Sequence, residues 1–270
     1  MSRLERMRDA MRGTSLVSEA RPFTLGPREA KEAVLLLHGF TGIPKELSTL
    51  GSILADSGYF VTAARYPGHG TGRADFLTTR AEDWLRRAFD AHLELAAGYE
   101  KVHVLGHSMG GIIATIVAEC FGAAKLVLLA PAFLFSHAGF DLAPFVAPLA
   151  PVIKRNRPLP KEEKDRVRRR LFAEYWADDL VAGAVQLKRI QRLAKTALPR
   201  LGSRILVLAG SGDTVVLPAV GSYIERMARR AASVDSRVLD GAGHLFPFDA
   251  SAAETASIVR DWMGRPGSEG

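Results

Sequence analysis

The chain has one cysteine, Cys120, in 270 residues. No disulfide can form within it, and a cytoplasmic setting is the expectation that follows. Long apolar runs are missing too. The longest candidate, Phe133 to Ile153, is broken by His137, Asp141 and three prolines, which makes it a poor membrane-spanning helix. The N-terminal stretch MSRLERMRDAMRGTS is charged throughout and has no apolar core of a secretory signal. Glycine and proline are near average use, with no repeat and no low-complexity tract, so a fibrous or disordered chain is excluded. The seven histidines show neither an H-E-x-x-H pattern nor a Cys/His ligand spacing. No metal and no other cofactor is expected.

Charge of one sign is in excess but unevenly placed. Residues Lys154 to Arg170 hold nine lysines and arginines against Glu162, Glu163 and Asp165, a local +6 out of a total of +7. No helix-turn-helix, zinc-finger or RNA-binding pattern accompanies them, so nucleic acid is not an expected partner. The stretch KEEKDRVRRRLF reads as a solvated helix face rich in i,i+4 pairs. It is also the one place where contact with an anionic membrane surface stays open.

What the sequence does have is a rhythm. Short apolar, β-rich runs recur at Ala33–Leu37, Tyr59–Ala63, Val102–Leu105, Leu126–Leu129, Ile205–Ala209 and Val234–Leu239, with Phe23–Leu25 as an extra edge strand. Such runs suggest strands buried on both faces. Helix-like segments lie between them, near 45–57, 82–97, 109–121, 217–231 and 251–263. Alternating strand and helix predicts an α/β fold with a doubly wound, mostly parallel sheet. The rhythm breaks once, from about residue 132 to 197. That segment opens rich in aromatics and proline, then turns basic and helical. The expected organisation is a core of 1–131 and 198–270, with 132–197 as a helical cap insertion and 1–13 as a flexible N-terminal extension.

The chemistry centres on VLGHSMGGIIA. Gly106-His107-Ser108-Met109-Gly110 fits G-x-S-x-G between an apolar strand and a helix-like run. A sharp strand-to-helix turn crowds its serine, and glycine on either side relieves the crowding. The turn lifts the serine oxygen above the carboxyl edge of the sheet, at a helix N-terminus that favours negative charge. Five letters alone arise by chance, and a serine needs a base. In such a fold the order is serine, then acid, then histidine, each after a strand. Asp213, in AGSGDTVV, and His244, in DGAGHLFP, supply both. Ser108 would attack, His244 would take its proton, and Asp213 would orient the imidazole. Asp240 is the reserve third member.

An oxyanion hole needs two backbone N–H groups. Met109 follows the serine, and Phe40, in HGFTG, is the second candidate. Losing one such donor typically costs about 3–4 kcal/mol of transition-state stabilisation. His38 reads as a loop organiser, His69 as a turn residue, and His107 as packing beside the serine. His103 is expected in the strand, and Cys120 as a buried, inert thiol on an apolar helix face.

HGFTG, RYPGHG, EDWLRRAF, GHSMGG, GSGDTVV and GAGH, in this order, resemble the α/β-hydrolase superfamily, and more narrowly the bacterial carboxylesterases related to monoacylglycerol lipases. The resemblance runs from about Phe23 to Met263. It implies a helical cap between the sixth and seventh strands of the family's sheet, and serine-dependent ester hydrolysis without a cofactor. HGFTG is the form usual in the carboxylesterase branch. The expected activity is therefore hydrolysis of short- to medium-chain carboxylic esters, small molecules being the only expected partners. A monoacylglycerol lipase, another lipase, a thioesterase or a C–C bond hydrolase is the alternative, and a non-catalytic small-molecule receptor the most distant one. An aliphatic or aromatic acyl group would meet an apolar wall without charge, drawn from Phe133, Phe135, Phe140, Leu142, Phe145, Val146, Trp176 and Leu187, with side chains of Phe40 and Met109 added.

Overall fold

A computed structural model describes residues 2–137, 139–159 and 165–265. Seven strands form one sheet: β1 (Phe23–Leu25), β2 (Glu32–Leu37), β3 (Phe60–Ala64), β4 (Lys101–His107), β5 (Lys125–Leu129), β6 (Arg204–Gly210) and β7 (Ser233–Leu239). Their order is β1-β3-β2-β4-β5-β6-β7, with β1 antiparallel to β3 and every other pair parallel. This is the expected mostly parallel, doubly wound sheet.

Helices cover both faces. They are α1 (Arg3–Met11), α2 (Ser48–Asp56), α3 (Arg73–Phe76), α4 (Ala81–Ala96), α5 (Met109–Phe121), α6 (Gly139–Val146), α7 (Arg166–Leu171), α8 (Val181–Ala197), α9 (Val220–Met227) and α10 (Ala252–Met263). Alternation along the strands sorts the core into two layers. Leu35, Leu37, Val104, Leu126, Leu128, Ile205 and Val207 pack with α4, α5, α8 and α9. Val34, Leu36, Leu105, Val127, Leu129, Leu206 and Leu208 pack with α2 and α10. The inner strands β2, β4, β5 and β6 are therefore buried on both faces, as their apolar runs suggest. β7 is not: it is the edge strand and only half-buried. The helix expected over 217–231 is confined to α9, starting beyond Pro218 and ending before Ala228, whose ψ of 60° leaves the helical region.

Strand order reverses at β2 and β4. The chain leaving β2 turns towards β3, and the chain leaving β4 turns towards β5. The carboxyl ends of these neighbours form the crevice where doubly wound sheets bind ligands. Residues 38–43 and Ser108 emerge there.

The stretch 132–197 falls between β5 and β6. It holds α6, α7, a π-helical turn Phe172–Trp176, and α8. It is pinned to the rest at several points. Arg73 Nη1 meets Asp178 Oδ2 at 2.7 Å, and Tyr175 Oη donates to Gly68 O at 2.8 Å. Within the stretch, Gln191 Nε2 donates to Ala132 O and Phe133 O and ties α8 to its opening residues.

Three expectations change here. Of residues 1–13, expected to be flexible, 2–12 are no loose tail. Ser2 and Glu5 form a reciprocal cap on α1, and Arg3 reaches Asp83 and the carbonyl of Thr78. Cys120 is exposed, since the buried face of α5 ends at Ala118. The basic stretch is also more than a solvated helix: Arg155 and Arg157 pair with Asp179, and Arg170 Nη2 donates to Ser15 O and Thr71 O. Residues 160–164 of that stretch lie outside the described residues. Among the described residues no helix is long and apolar enough to cross a membrane.

Candidate active site

Ser108 follows directly on β4 and caps α5. Its backbone sits at φ 53°, ψ −114°, a region a side chain rarely tolerates. The surrounding structure holds it there. Ser108 N–H donates to Leu129 O at 2.9 Å, and Ser108 O accepts from Gly111 and Ala132. The flanking glycines are required by space. A Cβ on Gly106 would lie 2.1 Å from Gly110 O, and one on Gly110 would lie 1.9 Å from Leu37 O.

Asp213 and His244 converge on the serine from the loops after β6 and β7. His244 Nε2 is 3.1 Å from Ser108 Oγ, and His244 Nδ1 is 2.8 Å from Asp213 Oδ2. Asp213 Oδ1 accepts from the N–H groups of Val215 and Val216, at 2.7 and 2.9 Å. Burial alone would raise this carboxyl. The hydrogen bond and charge of His244, with the two N–H groups, outweigh burial and hold it below the ordinary carboxylate range. An ionised Asp213 fixes the proton on His244 Nδ1 and leaves Nε2 free to accept from Ser108 Oγ. Asp240 does not join them; it is exposed and accepts from Ser211 Oγ.

Phe40 and Met109 flank the serine, and their N–H groups take part in no backbone hydrogen bond among the described residues. The Phe40 loop is braced from the inserted segment. Trp176 Nε1 donates to Thr41 Oγ1 at 3.1 Å, and Thr41 Oγ1 donates to Phe40 O at 2.6 Å. The Met109 side chain is fully buried in the core. It adds nothing to the cavity wall, contrary to expectation.

His38, His69 and His103 are structural. His38, His69 and Tyr66 form a buried ring cluster with Phe76 and Trp84. Burial holds His38 well below the usual imidazole range and His69 at about 3. His103 is buried in β4 with Nε2 2.8 Å from Glu32 Oε2. Among the described residues no three His, Cys, Asp or Glu side chains group to hold a metal ion.

Two cavities meet at Ser108. The larger, about 910 Å³, is walled by α6, the π-helical turn Phe172–Trp176 and α8, among others. Phe135, Phe140, Val146, Trp176 and Leu187 line it. Phe133, Leu142 and Phe145 do not. Phe133 is fully buried against Tyr223, while Leu142 and Phe145 point to solvent at 59% and 78% exposure. The register of α6 decides this: positions 140, 143 and 146 share the inner face, and 142 and 145 the outer. The wall also carries charge that apolar sequence did not suggest. Arg155, Arg157, Asp178 and Asp179 line one end. Asp178 is held at about 2 by the N–H groups of Asn156 and Arg155, with Arg73. These charges satisfy one another.

The smaller cavity, about 270 Å³, shares Phe40, Ser108, Trp176, His244 and Leu245 with the first and adds Gly39, Gly42, Glu46, His107 and Phe248. Glu46, Leu245 and Phe248 were not anticipated. The sole sequence signal was an acid four residues after the HGFTG loop, on a short 3₁₀ turn, Pro44–Leu47.

The model of the alpha/beta hydrolase family matches residues 34–258. The chain belongs to this α/β-hydrolase family. It is similar to a carboxylesterase of Bacillus subtilis (strain 168), 39% identical over 93 residues, which is 34% of this chain and 37% of that protein. It is also similar to a thermostable monoacylglycerol lipase of Bacillus sp. (strain H-257), 35% identical over 104 residues, 38% of this chain and 41% of that protein. The matched stretches thus span about two fifths of these relatives. Among solved structures, one from work on the metagenome-derived lipolytic enzymes LipS and LipT superposes with a TM-score of 0.80 at 21% identity, over 92% of this chain and 99% of that one. Monoacylglycerol lipase of Paleococcus ferrophilus gives 0.68 at 20% identity, over 90% and 97%. At such identities the likeness is one of fold.

Proposed function

We propose that this α/β-hydrolase is a serine-dependent carboxylic ester hydrolase acting on short- to medium-chain esters. The hydrogen-bonded chain Asp213–His244–Ser108 at the junction of two cavities carries the reading. The ester carbonyl lies over Ser108 with its oxygen towards the Phe40 and Met109 N–H groups. His244 Nε2 takes the Ser108 proton as Oγ attacks, and the negative charge collects on the carbonyl oxygen. Collapse of this intermediate breaks the ester C–O bond, and His244 returns the proton to the departing alcohol. Water, deprotonated by His244, then attacks the acyl-enzyme and frees the acid. Asp213 stays ionised and stabilises the imidazolium. Residues 132–197 act as a cap that walls the larger cavity and keeps water from the acyl chain.

A monoacylglycerol lipase is the second reading. The larger cavity, about 910 Å³, lies near the upper end of the roughly 300–1,000 Å³ usual for ligand pockets, and the Bacillus relative favours this reading too. Initial rates on p-nitrophenyl esters from acetyl to palmitoyl, plus one monoacylglycerol, with Ser108→Ala as blank, test both. A maximum at short to medium chains supports the esterase. A maximum at long chains or on the glyceride supports the lipase. Absence of hydrolysis, with no labelling of Ser108 by a fluorophosphonate, would sink both.

A further inference from the structure

The smaller cavity has a polar wall group that the ester chemistry does not use. We propose that Glu46 is a specificity-determining residue that reads a hydroxyl group on the alcohol portion of the substrate. This rests on the ester-hydrolase reading and deepens it. Ser108, His244 and Glu46 all line the cavity of about 270 Å³. Beyond Ser108 and His244, its other lining groups are spoken for or apolar, except His107 Nδ1, which has no hydrogen-bond partner among the described residues. His107 Nε2 donates to His244 O at 2.9 Å, and Trp176 Nε1 donates to Thr41 Oγ1. Phe40, Leu245 and Phe248 offer carbon, and Gly39 and Gly42 offer no side chain.

The Glu46 carboxyl lies against Gly42, where a Cβ would come within 2.3 Å of Oε2. A side chain at 42 would displace it, so the glycine and the acid form one feature. Glu46 is half-buried, as a residue on a cavity wall is, and protein packs closely around its carboxyl.

Enclosure selects the ligand class. Burial pushes this carboxyl up to about 8, against a hydrogen bond from the Ile43 backbone and the charge of Arg168. At neutral pH it is an acid with one O–H donor and one free acceptor. A hydroxyl group, itself donor and acceptor, is the matching partner. An anionic group would meet a carboxyl oxygen, with the charge of Arg168 acting on the carboxyl itself. A purely apolar group would leave the carboxyl unpaired, which is costly in an enclosed site. The division of labour follows from size. The larger, mostly apolar cavity suits the acyl chain, and the smaller one suits an alcohol of a few heavy atoms.

The test compares 2-hydroxyethyl butyrate with propyl butyrate, which replaces the hydroxyl by methyl, in wild type, Glu46→Gln and Glu46→Leu. Wild type is expected to favour the hydroxylated ester at least tenfold in kcat/KM. Glu46→Gln should keep that preference within about threefold, because the amide also donates and accepts. Glu46→Leu should lose it, through the hydroxylated ester alone. An unchanged ratio in Glu46→Leu, or an equal fall on both esters, overturns the assignment of Glu46 and leaves the ester-hydrolase reading standing. A wild type that hydrolyses neither ester overturns both.

A pH series decides the matter if Glu46→Leu does not fold. The charge of Arg168 from α7 reaches Glu46, and His107 from β4 and His244 from the loop after β7 line the same cavity. Ionisation near pH 8 makes the carboxylate a stronger acceptor for a hydroxyl and a worse neighbour for a propyl group. The wild-type ratio should therefore climb between pH 7 and 9 and stay flat in Glu46→Gln. A flat wild-type ratio overturns the proposal.

Discussion

The imidazole of His107 donates from Nε2 to the carbonyl oxygen of His244 across 2.9 Å. Its ring also lies 5.0 Å from the His244 ring. The residue before the nucleophile thus holds the backbone of the proposed base. Burial, with the nearby His244 next, keeps His107 at about 3, so it remains a neutral single-proton donor at working pH. Removing it strips a buried carbonyl of its partner, a loss of about 1–3 kcal/mol.

His107→Leu should therefore lower kcat about tenfold or more and leave KM within threefold. The effect belongs to the placement of His244, so labelling of Ser108 by a fluorophosphonate should slow in parallel. An unchanged kcat in a folded variant would remove His107 from the positioning of the base.

Asp213 and Asp240 separate cleanly by geometry. Asp213 touches His244 Nδ1 and is buried, while Asp240 touches Ser211 and is exposed. Asp213→Asn should cut turnover by up to about 10⁴-fold, the scale serine-protease triads show, and Asp240→Asn should leave it within twofold. Steady-state rates on one p-nitrophenyl ester decide; a severe loss in Asp240→Asn would move the acid role.

Strain at Ser108 rests on its glycine neighbours. A Cβ on Gly110 would sit 1.9 Å from Leu37 O and 2.6 Å from His38 O, both backbone atoms. Neither can move without shifting β2 or the loop that presents Phe40. Gly110→Ala should cost at least about 3 kcal/mol, the upper range of overpacking. Thermal unfolding and soluble yield report it. A variant with wild-type Tm would mean the turn relaxes without cost.

The elbow and the strands were legible because they obey local rules. Buried parallel strands read as short apolar runs, and Ser108 carries its own signature in the glycines around it. His244 and Asp213 followed from chain order after strands. The cap wall did not follow. α6 has eight residues and a proline at 144, too short for periodicity to say which of Leu142, Phe145, Phe140 and Val146 turn inward. Glu46 was silent for another reason. A single acid on a 3₁₀ turn looks like any surface acid until β2 and β4 bring its loop against Ser108. Arg155 and Arg157 looked like free surface charge because Asp178 and Asp179, their partners, stand more than twenty residues later.

Glu46 also makes a claim on stability. Its folded value of about 8 stands above the ordinary 4.5, so the folded state holds a proton that the unfolded chain releases. The contribution of the neutral acid is fully present below pH 4.5. It is lost as pH rises, and the loss levels off once the folded-state group ionises near pH 8. Glu46→Gln keeps the shape and cannot ionise. Its Tm relative to wild type should rise across this window, with the largest advantage at pH 8–9 and none below pH 4.5. Thermal unfolding of both proteins at pH 4, 6, 7 and 9 measures it. A Tm difference that is constant with pH would show that the carboxyl is not held neutral in the fold, and the hydroxyl-reading role would then have to work through an ionised group.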